Sequence, residues 1–244
     1  MKKILLVVFI LILGVFIYLK VQVLGDPNSS FNRTTRFTLA KHPFMRTILG
    51  MHSAGDARAE YFLGSGPIII EWFKPQTEND EVINQDLLDK FAQEVEKYTG
   101  RRTKILYGGA ISDNSVPLLN LAAYELKSNV QKSAGTTLLL FFTQDYSPKP
   151  QAELASTYAE SGIVVSLDAH RNTFSARSWQ LGDYFVSSML HEFGHQIGLE
   201  HNTGRGCVMN AEVETGGDTV FISPKDFCDE EQSQIAAMKA KLSN

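Results

Sequence analysis

Apolar and polar positions divide this chain into three stretches. Two lysines, Lys2 and Lys3, precede an apolar run from Ile4 to Leu19, which Lys20 and a short tail to Gly25 close. From residue 26 to 66 Ser, Asn, Thr, Arg and Gly predominate and the apolar residues follow no period, which predicts a stalk leading into a surface segment. Beyond Pro67 the pattern sharpens. Ile68 to Phe73, β-branched and aromatic between Gly66-Pro67 and Lys74-Pro75, predicts a strand. Val82, Ile83, Leu87, Leu88, Phe91, Val95 and Tyr98 then recur at three and four, one face of a helix that Thr77 and Asn79 can cap and Gly100 stops. Thr103 to Tyr107, Thr136 to Thr143 and Gly162 to Asp168 predict further strands, with a helix over Pro117 to Gln131. Residues 170 to 180 are polar and irregular, and a helix resumes near Asp183. Ser223-Pro224-Lys225-Asp226 combines a cap, a first-turn proline and a carboxylate, so it opens a closing helix to about Leu242. Early alternation of strands and helices predicts an α/β domain with a less regular lower part.

Of the 244 residues, the apolar start sets 1–25 apart and 26–66 is the stalk, leaving 67–244 for one folded domain. Lysines ahead of an apolar run mark a secretion or insertion signal whose amino terminus stays inside. An uncleaved anchor needs about 20 apolar residues, so this run spans a bilayer only with Lys20 snorkelling and Val21 to Leu24 recruited. Val23-Leu24-Gly25 offers a weak cleavage site. A single-pass anchor with a cytoplasmic amino terminus is the expectation and a secreted chain the alternative; both put the domain outside the cytosol. The sequons at Asn28 and Asn32 matter only in a glycosylating source. A net charge of −4 with no basic stripe argues against nucleic acid as a partner, and a monomer is expected. The only two cysteines, Cys207 and Cys228, are available for one disulfide in an oxidising compartment.

Chemistry concentrates in His191-Glu192-Phe193-Gly194-His195-Gln196-Ile197-Gly198-Leu199-Glu200-His201. On a helix His191 and His195 lie one turn apart on one face, so both imidazoles can reach one ion, and neutral nitrogen ligands suit zinc. Continued helix would carry His201 about 9 Å further along the axis and roughly 240° around from His195. The helix must therefore break, and Gly198, free to adopt a left-handed conformation, is the place. Three histidine ligands leave a fourth position open for water, the mark of a catalytic zinc. Glu192, beside His191, is placed to take a proton from that water.

The combined pattern resembles the signature of the metzincin metallopeptidases, and Met209, eight residues after His201, fits the methionine turn those proteins carry beneath the metal. It is most similar to archaemetzincins, with matrixin-like bacterial peptidases next. The likeness is specific over residues 191 to 210 and looser from about 162 to 228. It implies a zincin fold, a mixed twisted sheet with an active-site helix and a smaller irregular C-terminal subdomain ending in a helix, with one catalytic Zn2+ and peptide-bond hydrolysis of protein or peptide substrates. Archaemetzincins hold a second zinc with four cysteines; here Cys207 and Cys228 match, but Asn202 and Glu231 stand at the other two places. Two thiols cannot form a four-sulfur site, so the expectation is one zinc and a Cys207–Cys228 disulfide tying the methionine turn to the closing helix. By the same likeness Gly162, Ile163, Val164, Val165, Ser166 and Leu167 form the exposed edge strand along which an extended substrate lies, and residues 210 to 222 wall the pocket beyond the cut bond.

His42, His52 and His170 are not spaced as a second site and read as ordinary surface or loop histidines. No cysteine precedes the catalytic helix to serve as a propeptide thiol switch. Beside an endopeptidase stand two other classes, an idle zinc-binding scaffold or adhesion module and a metal-dependent hydrolase of non-peptide amides. Intact Glu192 argues against the idle module.

Overall fold

The structure, a computed structural model, describes residues 2–24, 43–49, 57–76, 83–111, 136–144, 154–158, 162–175, 180–204, 206–210 and 224–242, with single positions 31, 35 and 39. The expected helix at 117–131, the sequons, the caps Thr77 and Asn79, His42, His52 and the pocket wall from 211 to 222 lie outside the described residues.

The chain divides into two compact units, Met1–Asp56 and Ala57–Asn244. In the first, helix α1 runs Lys2–Leu24 and α2 Pro43–Leu49. Val23 and Leu49 are buried, with Phe16, Leu19 and Met45 packed against them, while Leu11, Val15, Ile17 and Val21 are exposed. Among the described residues no helix is long and apolar enough to cross a membrane.

The second unit is built on a five-stranded mixed sheet: β1 Ile68–Pro75, β2 Thr103–Ile111, β3 Thr136–Thr143, β4 Ala155–Tyr158 and β5 Gly162–Ser166, in the order β2-β1-β3-β5-β4. β2, β1, β3 and β5 pair in parallel and β4 pairs antiparallel with β5. Alternate residues of β3 face opposite ways. Leu138, Leu140 and Phe142 join the main core, whereas Leu139 and Phe141 pack with Phe73 and Val164 on the other face. Four-residue β4, Ala-Ser-Thr-Tyr, has too few apolar positions to stand out in the sequence.

The main core is closed by helices α3 Arg58–Leu63, α4 Gln85–Thr99, α5 Leu167–Thr173, α6 Leu181–Gln196 and α7 Asp229–Leu242. α4 starts at Asn84, whose side chain accepts from Leu87 N–H at 3.0 Å, and ends at Gly100 with φ +74°. Its apolar stripe, Leu87, Leu88, Phe91 and Val95, packs with Phe185, Met189 and Phe193 of α6 in one cluster.

Several boundaries differ from expectation for identifiable reasons. Residues 57–66, inside the expected surface segment, belong to the second unit. Tyr61 is fully buried and edge-on to Phe193 at 5.3 Å, and Ala57 N–H donates to Gln196 O at 2.7 Å. The Arg101 guanidinium holds the rest of that stretch by donating to the carbonyls of Glu60, Tyr61, Ser65 and Gly66 and to Thr136 Oγ1. β5 stops at Ser166 because its hydroxyl accepts from Ala169 N–H and opens α5, so Leu167 is helical and the helix continues to Thr173, where polarity suggested irregular chain. The closing helix begins at Asp229 rather than near Pro224. Residues 224–228 instead run across α4, with Phe227 buried against Tyr98 at 4.7 Å and its N–H donating to the Tyr98 hydroxyl.

Two expectations are corrected outright. The strand of Gly162, Ile163, Val164, Val165 and Ser166 is not an edge: it pairs with β3 on one side and β4 on the other, all five residues buried. A parallel-sheet neighbour accounts for its unbroken apolar run, and among the described residues the edge at this end of the sheet is β4. His170 is no surface histidine but fully buried, stacked on Phe185 at 4.2 Å between ring centroids.

Candidate metal centre

The three histidines meet because α6 is anchored in the core on one side and ends abruptly. Tyr184, Phe185, Met189, Leu190 and Phe193 bury the helix, leaving His191 and His195 half-exposed one turn apart. At its carboxyl end Leu199 N–H donates to Gly194 O at 2.8 Å and Gly198 N–H to His195 O at 3.0 Å. This is the Schellman pair of bonds, and Gly198 supplies the left-handed residue it needs, with φ +92°. The chain turns back and brings His201 over the helix.

His201 Nε2 lies 3.1 Å from His191 Nε2 and 3.0 Å from His195 Nε2. Two nitrogens each about 2.0–2.1 Å from one tetrahedral ion sit about 3.3 Å apart, so the trio fits a shared ion nearly as it stands. Among the described residues the three form a group able to hold a metal, their ligand atoms within 4.8 Å of one another.

Each helical ring is held from behind. His191 Nδ1 is 2.7 Å from Val208 O and His195 Nδ1 is 3.0 Å from Leu199 O. A carbonyl only accepts, so both Nδ1 atoms carry the hydrogen and both Nε2 lone pairs point to the common centre. Burial first of all holds both imidazoles below their usual range, with the Glu192 charge acting the other way on His195. Burial, the largest influence on each, favours the neutral, ligating form.

Glu192 is 7% exposed, and its Oε2 accepts from Thr157 Oγ1 at 2.7 Å. Thr157 is on strand β4, so the Glu192 carboxylate is fastened to that strand. Nothing in the sequence around Thr157 signals this role.

Met209 is fully buried beneath α6, and Gly194 makes room for it: a Cβ at Gly194 would stand 2.3 Å from Met209 Sδ and 3.2 Å from Phe227 Cε1. Asn202 N–H donates to Met209 O at 3.0 Å, and Asn202 pairs with Asn210 in a parallel bridge. Cys207 and Cys228 are joined in a disulfide, their Cα atoms 5.0 Å apart. Both sulfurs of the group Cys207, Cys228 and Glu231 are thereby engaged, and the Glu231 carboxylate accepts from Asn202 Nδ2 and from three backbone N–H groups.

No family model matches the chain, and no curated protein matches it significantly. Solved structures do. An archaemetzincin from Methanopyrus kandleri aligns with a TM-score of 0.49 and 16% identity, covering 70% of this chain and 95% of that one. A zinc-dependent peptidase from Methanocorpusculum labreanum aligns with a TM-score of 0.47 and 18% identity, covering 68% and 99%.

Proposed function

We propose that this chain is a zinc-dependent endopeptidase of the metzincin type, exported or held at a membrane by its first 25 residues. The observation that carries the reading is the convergence of His191, His195 and His201 through Nε2 at 3.0–3.1 Å with both helical rings braced at Nδ1. A bound zinc there supplies Lewis acidity, polarising a carbonyl and lowering the pKa of water. Glu192, held by Thr157, accepts a proton from the attacking water and returns it to the departing nitrogen of the cleaved bond. β4, last in the sheet and antiparallel to β5, offers main-chain hydrogen bonds to an extended peptide beside the histidines. The Lys2-Lys3 flank ahead of the apolar run supports export or insertion with the catalytic unit outside the cytosol.

Purified wild type and Glu192→Ala, each assayed for zinc and against a denatured-protein and peptide library, test the reading. Equal zinc with cleavage only by wild type is expected. Equal zinc and no cleavage by either indicates a zinc-binding module, and cleavage surviving Glu192→Ala overturns the role of the base.

A further inference from the structure

Glu231 is a carboxylate with 1% exposure, and an uncompensated buried charge is costly. Its compensation is complete. Oε1 accepts from Met209 N–H at 2.7 Å and Asn202 Nδ2 at 2.8 Å; Oε2 accepts from Cys228 N–H at 2.9 Å and Val208 N–H at 3.3 Å. A carboxylate has roughly four acceptor sites, and all are in use.

Only one of these bonds belongs to ordinary helix capping. Glu231 lies in the first turn of α7, and its bond to Cys228 N–H is the backward half of a capping box. The other three reach out of the helix to the segment that backs the histidines. Val208, whose N–H Glu231 holds, presents the carbonyl that accepts from His191 Nδ1 at 2.7 Å. Met209, whose N–H it also holds, presents the carbonyl that accepts from Asn202 N–H at 3.0 Å, and Asn202 directly follows His201. The Asn202 amide is oriented for the task, because its Oδ1 takes Gly204 N–H at 3.0 Å and so turns Nδ2 toward Glu231. One buried carboxylate thus lies a single peptide away from the support of His191 and from His201 itself.

We propose that Glu231 is a positioning residue for the metal centre: its carboxylate sets the 208–209 turn so that His191 is held with its hydrogen on Nδ1 and His201 is held over the helix. The proposal rests on the reading of the three histidines as a metal site. Glutamine cannot substitute, although it has the same shape. Whichever way its amide is turned, the NH2 group faces two N–H donors, leaving them unpartnered and pressed against a third donor.

The test uses the full chain in detergent, zinc affinity by chelator competition and, on the zinc-free protein, imidazole 15N shifts that report the His191 tautomer. Glu231→Gln is expected to weaken zinc about 10- to 100-fold, the range for groups that orient metal ligands, and to turn the single Nδ1–H tautomer of His191 into a mixture. The double variant Cys207→Ala/Cys228→Ala loses the covalent tie but keeps the carboxylate; it is expected to melt lower and retain wild-type affinity. Unchanged affinity in Glu231→Gln overturns the proposal, as does an equal loss in the cysteine variant, which would make turn stability the cause. Should Glu231→Gln not fold, Asn202→Ala removes one arm, and an affinity equal to wild type there overturns it too. A wild type that takes up no zinc refutes the functional reading, and the zinc-free tautomer comparison still decides this one.

Discussion

His170 makes the stability of the second unit depend on pH by an amount that follows from its surroundings. Its Nδ1 lies 2.7 Å from Ser166 O and therefore carries a hydrogen, and its Nε2, 2.9 Å from Ser188 Oγ, accepts the serine proton. The ring is stacked on Phe185 and near Phe174, fully buried, and burial pushes its pKa from 6.5 down to about 4. In the unfolded chain the ring titrates near its ordinary value. Between about pH 6.5 and 4 the unfolded state therefore holds a proton that the folded state lacks, and stability falls as pH falls. The contribution is complete above the unfolded pKa and gone below the folded one. A difference of about 2.5 units at about 1.4 kcal/mol each amounts to roughly 3 kcal/mol. His170→Phe keeps the stacking and removes the titration; losing the bond to Ser166 O costs the same at every pH in this window. Urea unfolding of both proteins, zinc removed so that metal release does not add its own slope, measures the difference. The stability of wild type relative to His170→Phe is expected to fall by about 3 kcal/mol from pH 7 to pH 4. Two parallel curves would refute the reasoning.

Three further outcomes are expected. Gly194→Ala should gain about 1 kcal/mol from helix propensity but lose more, since its Cβ would stand 2.3 Å from Met209 Sδ; a net fall in Tm, relieved when Met209→Ala is added, checks it, and a rise contradicts it. Thr157→Val should keep its zinc and lower kcat about tenfold, the worth of a hydrogen bond to a charged group, with Thr157→Ser restoring activity. Reduction of Cys207–Cys228, 21 positions apart, should lower stability by about 3 kcal/mol, seen as a drop in the urea midpoint; no drop would mean the turn is held by Glu231 alone.

What could be read from the sequence is whatever repeats at a period or sits at a required spacing. β1, β3 and β5 were visible as apolar runs, and the histidine trio followed from spacing plus one glycine, because helix geometry leaves His201 no other route to the ion. β4 was hidden, being four residues long and mostly polar, and with it went the true edge and Thr157. His170 was misread because a lone histidine carries no period, and its burial depends on Phe185 and Ser188, which reach it from a different helix. The positions of the metal motif that coordinate nothing are the most instructive. Phe193 fills the core against Tyr61, and Gly194 seats Met209. Gln196 accepts from the Tyr61 hydroxyl at 2.6 Å while donating to Gly162 O at 2.9 Å, bolting the end of α6 to β5. A helix that is to present two histidines at a fixed height above a sheet must itself be fixed to that sheet. The residues between the ligands therefore answer to tertiary contacts, and that is why no spacing rule within the motif could have specified them.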